Sequence, residues 1–236
     1  MKLLSRLIGR LSFSAKFLLI GLVFLVPVLV LSYQSVVHSY VLLKSTENEL
    51  AGLRLNNEFR QLIQQLQLHR GLSNTFLSGD VSHETKIIEV EARLRDLLQS
   101  LQSKQQEPIA LFGVSKSMAE WEQEWSKLQA SWRNLKPAES FQTHTALIHK
   151  LMKFTNLVED RSELALDPEG ESYHIQNLMY GHLLPVTEQV ALARGFGAGV
   201  AQRKNIQQAE RIEMAVFAGS MREKIAAIDD ELNSAY

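Results

Sequence analysis

The sequence predicts an all-α protein: an N-terminal transmembrane helix followed by an antiparallel helical bundle outside the membrane, with two stacked four-helix layers as a natural arrangement. Three observations predict it. Phe17 to Tyr33 is an uncharged, almost wholly apolar run behind four positive charges, Lys2, Arg6, Arg10 and Lys16. The segments beyond it carry apolar residues at a 3.6-residue period, and none alternates as a strand would. Breaks between these segments are short, which favours antiparallel neighbours.

The apolar run sets the topology of the chain. Seventeen residues rise about 25 Å as a helix, slightly short of a hydrocarbon core about 30 Å thick. The flanks make up the difference. Leu11 to Ala15 and Ser35 to Leu43 are uncharged, and Lys16 can extend its ammonium to the headgroups. The basic leader keeps the N-terminus cytoplasmic. The rival reading is a cleaved secretory signal, with Val37-His38-Ser39 as its cleavage site; the length of the run favours an uncleaved anchor. The expected organisation is a cytoplasmic leader over 1–16, a membrane helix over 17–37 and an extracytoplasmic domain over 38–236. Pro27 lies inside the run, where membrane helices tolerate it.

The first helix is expected to continue to about Ser78, with a stripe of Phe59, Leu62, Leu66, His69, Ser73 and Phe76, and to break at Ser78-Gly79-Asp80. A second helix covers about Ser82 to Ser103, with Ile87, Leu94, Leu97 and Leu101 apolar. Pro108 to Val114 reads as a loop. Ser117 and Glu120 have capping-box spacing and open a third helix that ends near Leu135. Its residues Trp121, Trp125, Leu128, Trp132 and Leu135 form one apolar seam. Such a stripe can be core or a ligand cage, and helical spacing favours core. A fourth helix runs from about Ala138 to Leu166, and Asp167-Pro168-Glu169-Gly170 makes a turn. A fifth covers about Ser172 to Gln202, with a kink at Pro185. Asn205 caps a sixth, striped by Met214, Phe217, Met221, Ile225, Ile228 and Leu232.

Composition narrows the function. The chain has no cysteine, which excludes thiol catalysis and Cys-type zinc sites. Its net charge of −1 is uneven: five of the 25 Lys and Arg precede Glu47, and all 26 Asp and Glu lie from Glu47 onward. The outer part is therefore acidic, which gives no electrostatic basis for binding nucleic acid. There is no Gly-rich phosphate loop, nucleophile elbow or His-Glu-x-x-His, so no enzyme activity is expected. His174 and His182 are two turns apart and can share a face, but a metal site needs a closer pair and a carboxylate. No metal or cofactor is expected.

Three arginines stand in apolar settings. Arg70 lies beside the Leu66–Phe76 stripe. Arg161 extends the stripe Leu147, Leu151, Phe154, Val158 and should point inward. Arg194 lies among small neighbours in ALARGFGAGV. A buried guanidinium needs a partner. Each can pair with an internal acid such as Glu159, Asp160, Asp167 or Glu188, or can hold an anionic ligand through charge-assisted hydrogen bonds. Arg70-Gly71 and Arg194-Gly195 each precede a helix end by about two turns, a faint internal duplication. Their glycines permit close helix approach.

Several stretches resemble one class of protein. The basic leader, the anchor, Glu49-Leu50-Ala51-Gly52 and QLHRGLSNTFLSGD are similar to the start of bacterial transmembrane sensory receptors. LALDPEGESYHIQNLMYGHLLPVTEQVALARGFGAG is similar to their helical outer region. The closest resemblance is to methyl-accepting chemotaxis proteins with an all-helical sensor domain, and His-Arg-Gly-Leu-Ser resembles a segment of nitrate- and nitrite-sensing helical domains. The resemblance implies a receptor that senses an extracytoplasmic small ligand, acts as a homodimer and makes anion contacts through Arg70 and Arg194. It also implies a second membrane helix, a HAMP linker and an output module, none of which is in these residues. Similar sensor regions sit on diguanylate cyclases and histidine kinases. The remaining alternative is an anchored module that binds a periplasmic protein and no small ligand.

Overall fold

The apolar periods resolve into long helices in the computed structural model, which describes residues 12–164 and 174–234. The leader charges Lys2, Arg6 and Arg10, the Asp167–Gly170 turn, Ser172 and Tyr173 lie outside the described residues. Among the described residues there is no strand. The chain divides into two units, Met1–Glu47 and Asn48–Tyr236.

Helix α1 covers Phe13–Leu77, 65 residues with Pro27 inside it. Its part in the first unit leaves its large apolar side chains exposed from Phe17 to Leu43, and the helix is long and apolar enough to cross a membrane. In the second unit α1 changes character. Leu55, Phe59, Leu62, Ile63 and Leu66 are buried, as are His69, Arg70 and Ser73. The expected stripe is thus the buried face. Gly79, at a φ of 114°, ends the segment where a side chain would be strained.

Asp80 then accepts from the Ser82 amide at 3.0 Å and caps a short 3₁₀ turn, Val81–His83. Helix α2, Glu84–Lys104, buries Ile87, Val90, Leu94 and Leu101. The expected loop after it is instead a short helix, α3, Gln106–Leu111. Pro108 does not prevent it, because the first-turn amides of a helix need no intrahelical partner. Helix α4, Ser115–Ser131, starts two residues before Ser117, which therefore lies inside the helix and does not cap it. A 3₁₀ turn, Trp132–Asn134, carries the seam onward.

Helix α5, Pro137–Arg161, opens with proline in its first turn, as proline's fixed φ favours. It stops short of Leu166: Ser162 ends it and Glu163 takes a φ of 66°. The next described segment contains a π-helical stretch, Asn177–Leu183, followed by α6, Leu184–Arg203. This irregular winding ends just before Pro185, the position of the expected kink. The Leu184 amide bonds to Met179 O, five residues back, directly before a proline that has no amide to offer. Lys204, at a φ of 53°, ends α6. Helix α7 covers Gln208–Ser234. Asn205 is not its cap. Glu210 reaches back to the Gln207 amide at 2.9 Å, the acidic half of a capping box. The α7 stripe is only partly covered, and Ile225 and Leu232 are exposed.

Helices α1, α2, α4 and α5 share one hydrophobic core. The tryptophan seam lies inside it: Trp121, Trp125 and Trp132 are at most 3% exposed. Each buried aromatic of this size contributes about 2–3 kcal/mol from area alone. Trp121 also donates to Leu147 O at 2.9 Å, and Asn56 donates to Thr155 O at 3.1 Å. These bonds satisfy polar atoms that burial would otherwise leave costly.

Candidate functional site

Arg70 is fully buried on the core face of α1, and Glu188, 2% exposed, reaches it from α6. The contact is a fork. Nη1 donates to Oε1 at 2.7 Å and Nη2 donates to Oε2 at 3.2 Å. Of the four acids open to pairing from the sequence, Glu188 is the partner of Arg70. Two more side chains complete the cluster. Gln67, one turn before Arg70, donates to Oε2 at 2.8 Å. Thr145 of α5 accepts from Nη1 at 3.0 Å while donating its own hydrogen to Phe141 O at 2.8 Å. The guanidinium also lies 5.0 Å from the centre of the Phe141 ring, within cation–π range. Arg70 Nε is buried and has no hydrogen-bond partner among the described residues.

The backbones come close at this point. A Cβ on Gly195 would lie 3.4 Å from Gly71 Cα and 3.1 Å from Phe141 Cε2. Asn74 donates to Gly195 O at 2.9 Å. The two Arg-Gly pairs therefore meet through their glycines, as close helix approach requires. Their arginines do not meet: Arg70 points inward, whereas Arg194 is exposed.

Arg161 also departs from its expected orientation. It is exposed and donates to Phe112 O at 2.5 Å, over Gly113, where a Cβ would collide with its Nη1. The stripe predicted an inward side chain, but α5 ends at this residue, and between the buried Val158 and Ser162 its guanidinium turns outward to the Phe112 carbonyl. Arg161 is sixteen residues beyond Thr145, about 24 Å along a helix, so one small ligand cannot touch both Arg70 and Arg161.

A second buried polar cluster adjoins the first. His69 Nδ1 lies 2.7 Å from His144 Nε2, and His69 Nε2 lies 3.2 Å from Glu91 Oε1. His144 Nδ1 is 2.6 Å from Ser140 O, so it carries a hydrogen and leaves His144 Nε2 as an acceptor. His69 Nδ1 then donates to His144. Burial and the neighbouring His69 push His144 down to about 3, so it stays neutral. Burial alone would raise Glu91, but hydrogen bonds from His69 and Trp132 outweigh it and hold the carboxyl below its ordinary value. Trp125 and Trp132 present edges to His69 with centroids 5.3 and 5.5 Å away. At a separation of 75 residues, His69 and His144 carry no local sequence signal as a pair.

His174 and His182 do share a carboxylate: His174 Nδ1 is 2.7 Å and His182 Nε2 is 3.5 Å from Glu231. Asn177 donates to the same carboxylate at 2.8 Å. Among the described residues no group is arranged to hold a metal ion. A cavity of about 390 Å³ lies near the π-helical stretch, lined by Asn156, Glu159, Asp160, Gln176, Asn177 and Tyr180 among others.

Two comparisons with known proteins gave no match: none among curated proteins and none among solved structures. A third did. The model of a family described as nitrate and nitrite sensing matches residues 61–235, a span that contains Arg70, Glu188 and Arg194.

Proposed function

The chain belongs to the nitrate and nitrite sensing family, and from that premise we propose that it is the sensory region of a bacterial transmembrane chemoreceptor that binds a small oxyanion outside the cell membrane. In this reading residues 1–16 are cytoplasmic, 17–37 cross the membrane as part of α1, and 38–236 form the extracytoplasmic sensor, a homodimer of layered helical bundles. It has no catalytic role. Anion binding favours one of two helix packings, and α1 passes the difference of an ångström or two through the membrane.

One observation carries the ligand class. Arg70 is a fully buried guanidinium whose Nε has no partner among the described residues, and Gln67 supplies an amide donor beside it. A planar oxyanion suits that geometry. Arg70 is the principal anion contact in this reading, and Arg194, one residue from the glycine that abuts Gly71, is the second. Arg161 lies too far along α5 to join them.

Titration calorimetry of the full chain in detergent tests the reading, with nitrate and nitrite as ligands and chloride as the control. Saturable binding is expected for either oxyanion, together with a rise in Tm that follows its concentration. The double variant Arg70→Ala/Glu188→Ala removes both buried charges at once, so it should keep its helicity while losing binding. Arg194→Ala should weaken binding less. If the wild-type chain shows neither heat nor a Tm shift at millimolar nitrate or nitrite, the sensing reading fails. The chain then reads as an anchored protein-interaction module.

A further inference from the structure

We infer that Glu188 is a built-in competitor for the anion: it occupies Arg70 in the ligand-free chain, and a planar oxyanion binds by displacing it. This inference rests on the oxyanion reading given above and names how that site is regulated.

The geometry is that of a filled anion site. Both oxygens of Glu188 are on the Arg70 fork, at 2.7 and 3.2 Å, and Gln67 adds a third donor at 2.8 Å. A carboxylate is itself a planar group with two oxygens, and a trigonal oxyanion offers the same edge to the same donors. Bound side-on, such an anion spans Nη2 and Nε instead. Arg70 Nε, buried and unpartnered among the described residues, is a donor that Glu188 leaves unused. The site thus has more hydrogen-bonding capacity than its own carboxylate takes up.

Glu188 has another polar neighbour to move to. His149 Nε2 lies 3.9 Å from its Oε1, and the His149 side chain is 53% exposed. A short swing takes the carboxylate from a dry guanidinium to a solvated imidazole at the rim. A cavity of about 230 Å³, lined by Arg60, Gln64, Gln67, Leu184 and Thr187 among others, opens beside the residues that flank Glu188. It gives an incoming anion a place next to Gln67 before the exchange.

The exchange conserves charge. One monoanion leaves the guanidinium and another replaces it, so no charge is left buried without a counter-ion at the end. What changes is the tie between helices. The Glu188–Arg70 fork links α6 to α1 directly, whereas a free anion on Arg70 does not reach covalently into α6. Ligand occupancy therefore loosens α6 at the point where Gly195 meets Gly71.

The test compares wild-type chain and Glu188→Gln, full length in detergent at constant ionic strength, by nitrate titration. Removing the competitor should lower the Kd for nitrate at least tenfold and enlarge the Tm rise that saturating nitrate gives. A variant that folds only when nitrate is present gives the same support. If the wild type binds and Glu188→Gln binds no tighter, the competitor role is overturned while the oxyanion reading stands. If neither binds, both fall. Hydrogen exchange on the wild type alone supplies a check free of mutation. Amides of Leu184 to Gly195 should exchange faster with nitrate bound, and unchanged or slower exchange there overturns the inference.

Discussion

Gly195 faces Gly71 so closely that a single added methyl on Gly195 would come within 3.4 Å of the opposing Cα. The other near atom is an edge of the Phe141 ring at 3.1 Å, which itself lies against Arg70. A branched side chain has nowhere to go. Gly195→Val should destabilise the chain by about 2–3 kcal/mol through overpacking. Gly219 is the counterpart in open space, since nothing lies within 4 Å of its added Cβ and it sits inside α7. Gly219→Ala should therefore stabilise by about 0.5–1 kcal/mol from helix propensity. Thermal or denaturant unfolding of the two variants checks the contrast. Equal effects would mean that the glycine contact does not hold α1 and α6 together.

His144 makes stability fall in acid. Its folded-state value of about 3 is below the ordinary 6.5 because the ring is buried beside His69. The unfolded chain binds the proton more readily, so the contribution is complete above pH 6.5 and is lost as pH falls toward 3. The slope from one such group is about 1.4 kcal/mol per pH unit. The charged or titratable groups near it are His69, Glu91 and Arg70. His144→Gln should flatten the fall between pH 6.5 and 5, measured by denaturant midpoints. A variant with the wild-type slope would move the effect elsewhere.

Glu159 acts in the opposite direction. Burial, with Asp160 beside it, raises its carboxyl from 4.5 to about 7. The folded chain holds this proton more tightly, so the contribution is complete below pH 4.5 and is lost as pH rises through 7. After a discount for solvent, Glu159→Gln should stabilise the chain by about 1–2 kcal/mol at pH 8 and by little at pH 4.5. A benefit equal at both values would argue against a raised carboxyl.

Periodicity carried much of the fold. The steps from Trp121 to Leu135 repeat without interruption, and the side chains they mark are buried or half-buried. The same rule misled at Arg161, because a stripe does not reveal where a helix stops. Capping patterns were less informative than they looked. Ser117 had the right neighbour, but α4 had already begun at Ser115. Pro108 suggested a loop because a first-turn proline and a loop proline look alike in sequence. Arg70 was legible as a residue in need of a partner. Which acid would serve was not, since that choice depends on the phase of a helix more than a hundred residues away. His69, His144 and Glu91 sit on three helices, and only tertiary packing brings them together.

The π-helical stretch Asn177–Leu183 fixes that phase. Relative to a regular helix, a π turn accommodates about one surplus residue, and each residue of an α-helix advances the side chains by about 100°. Everything C-terminal to the stretch inherits the offset, including Glu188 and Gly195. Were those seven residues to wind as ordinary α-helix, the carboxylate would swing away from the guanidinium and the glycine would turn off its opposing backbone. A single misplaced turn, ending five residues before Glu188 in the chain, thus acts as the timing mark for the whole contact between α1 and α6.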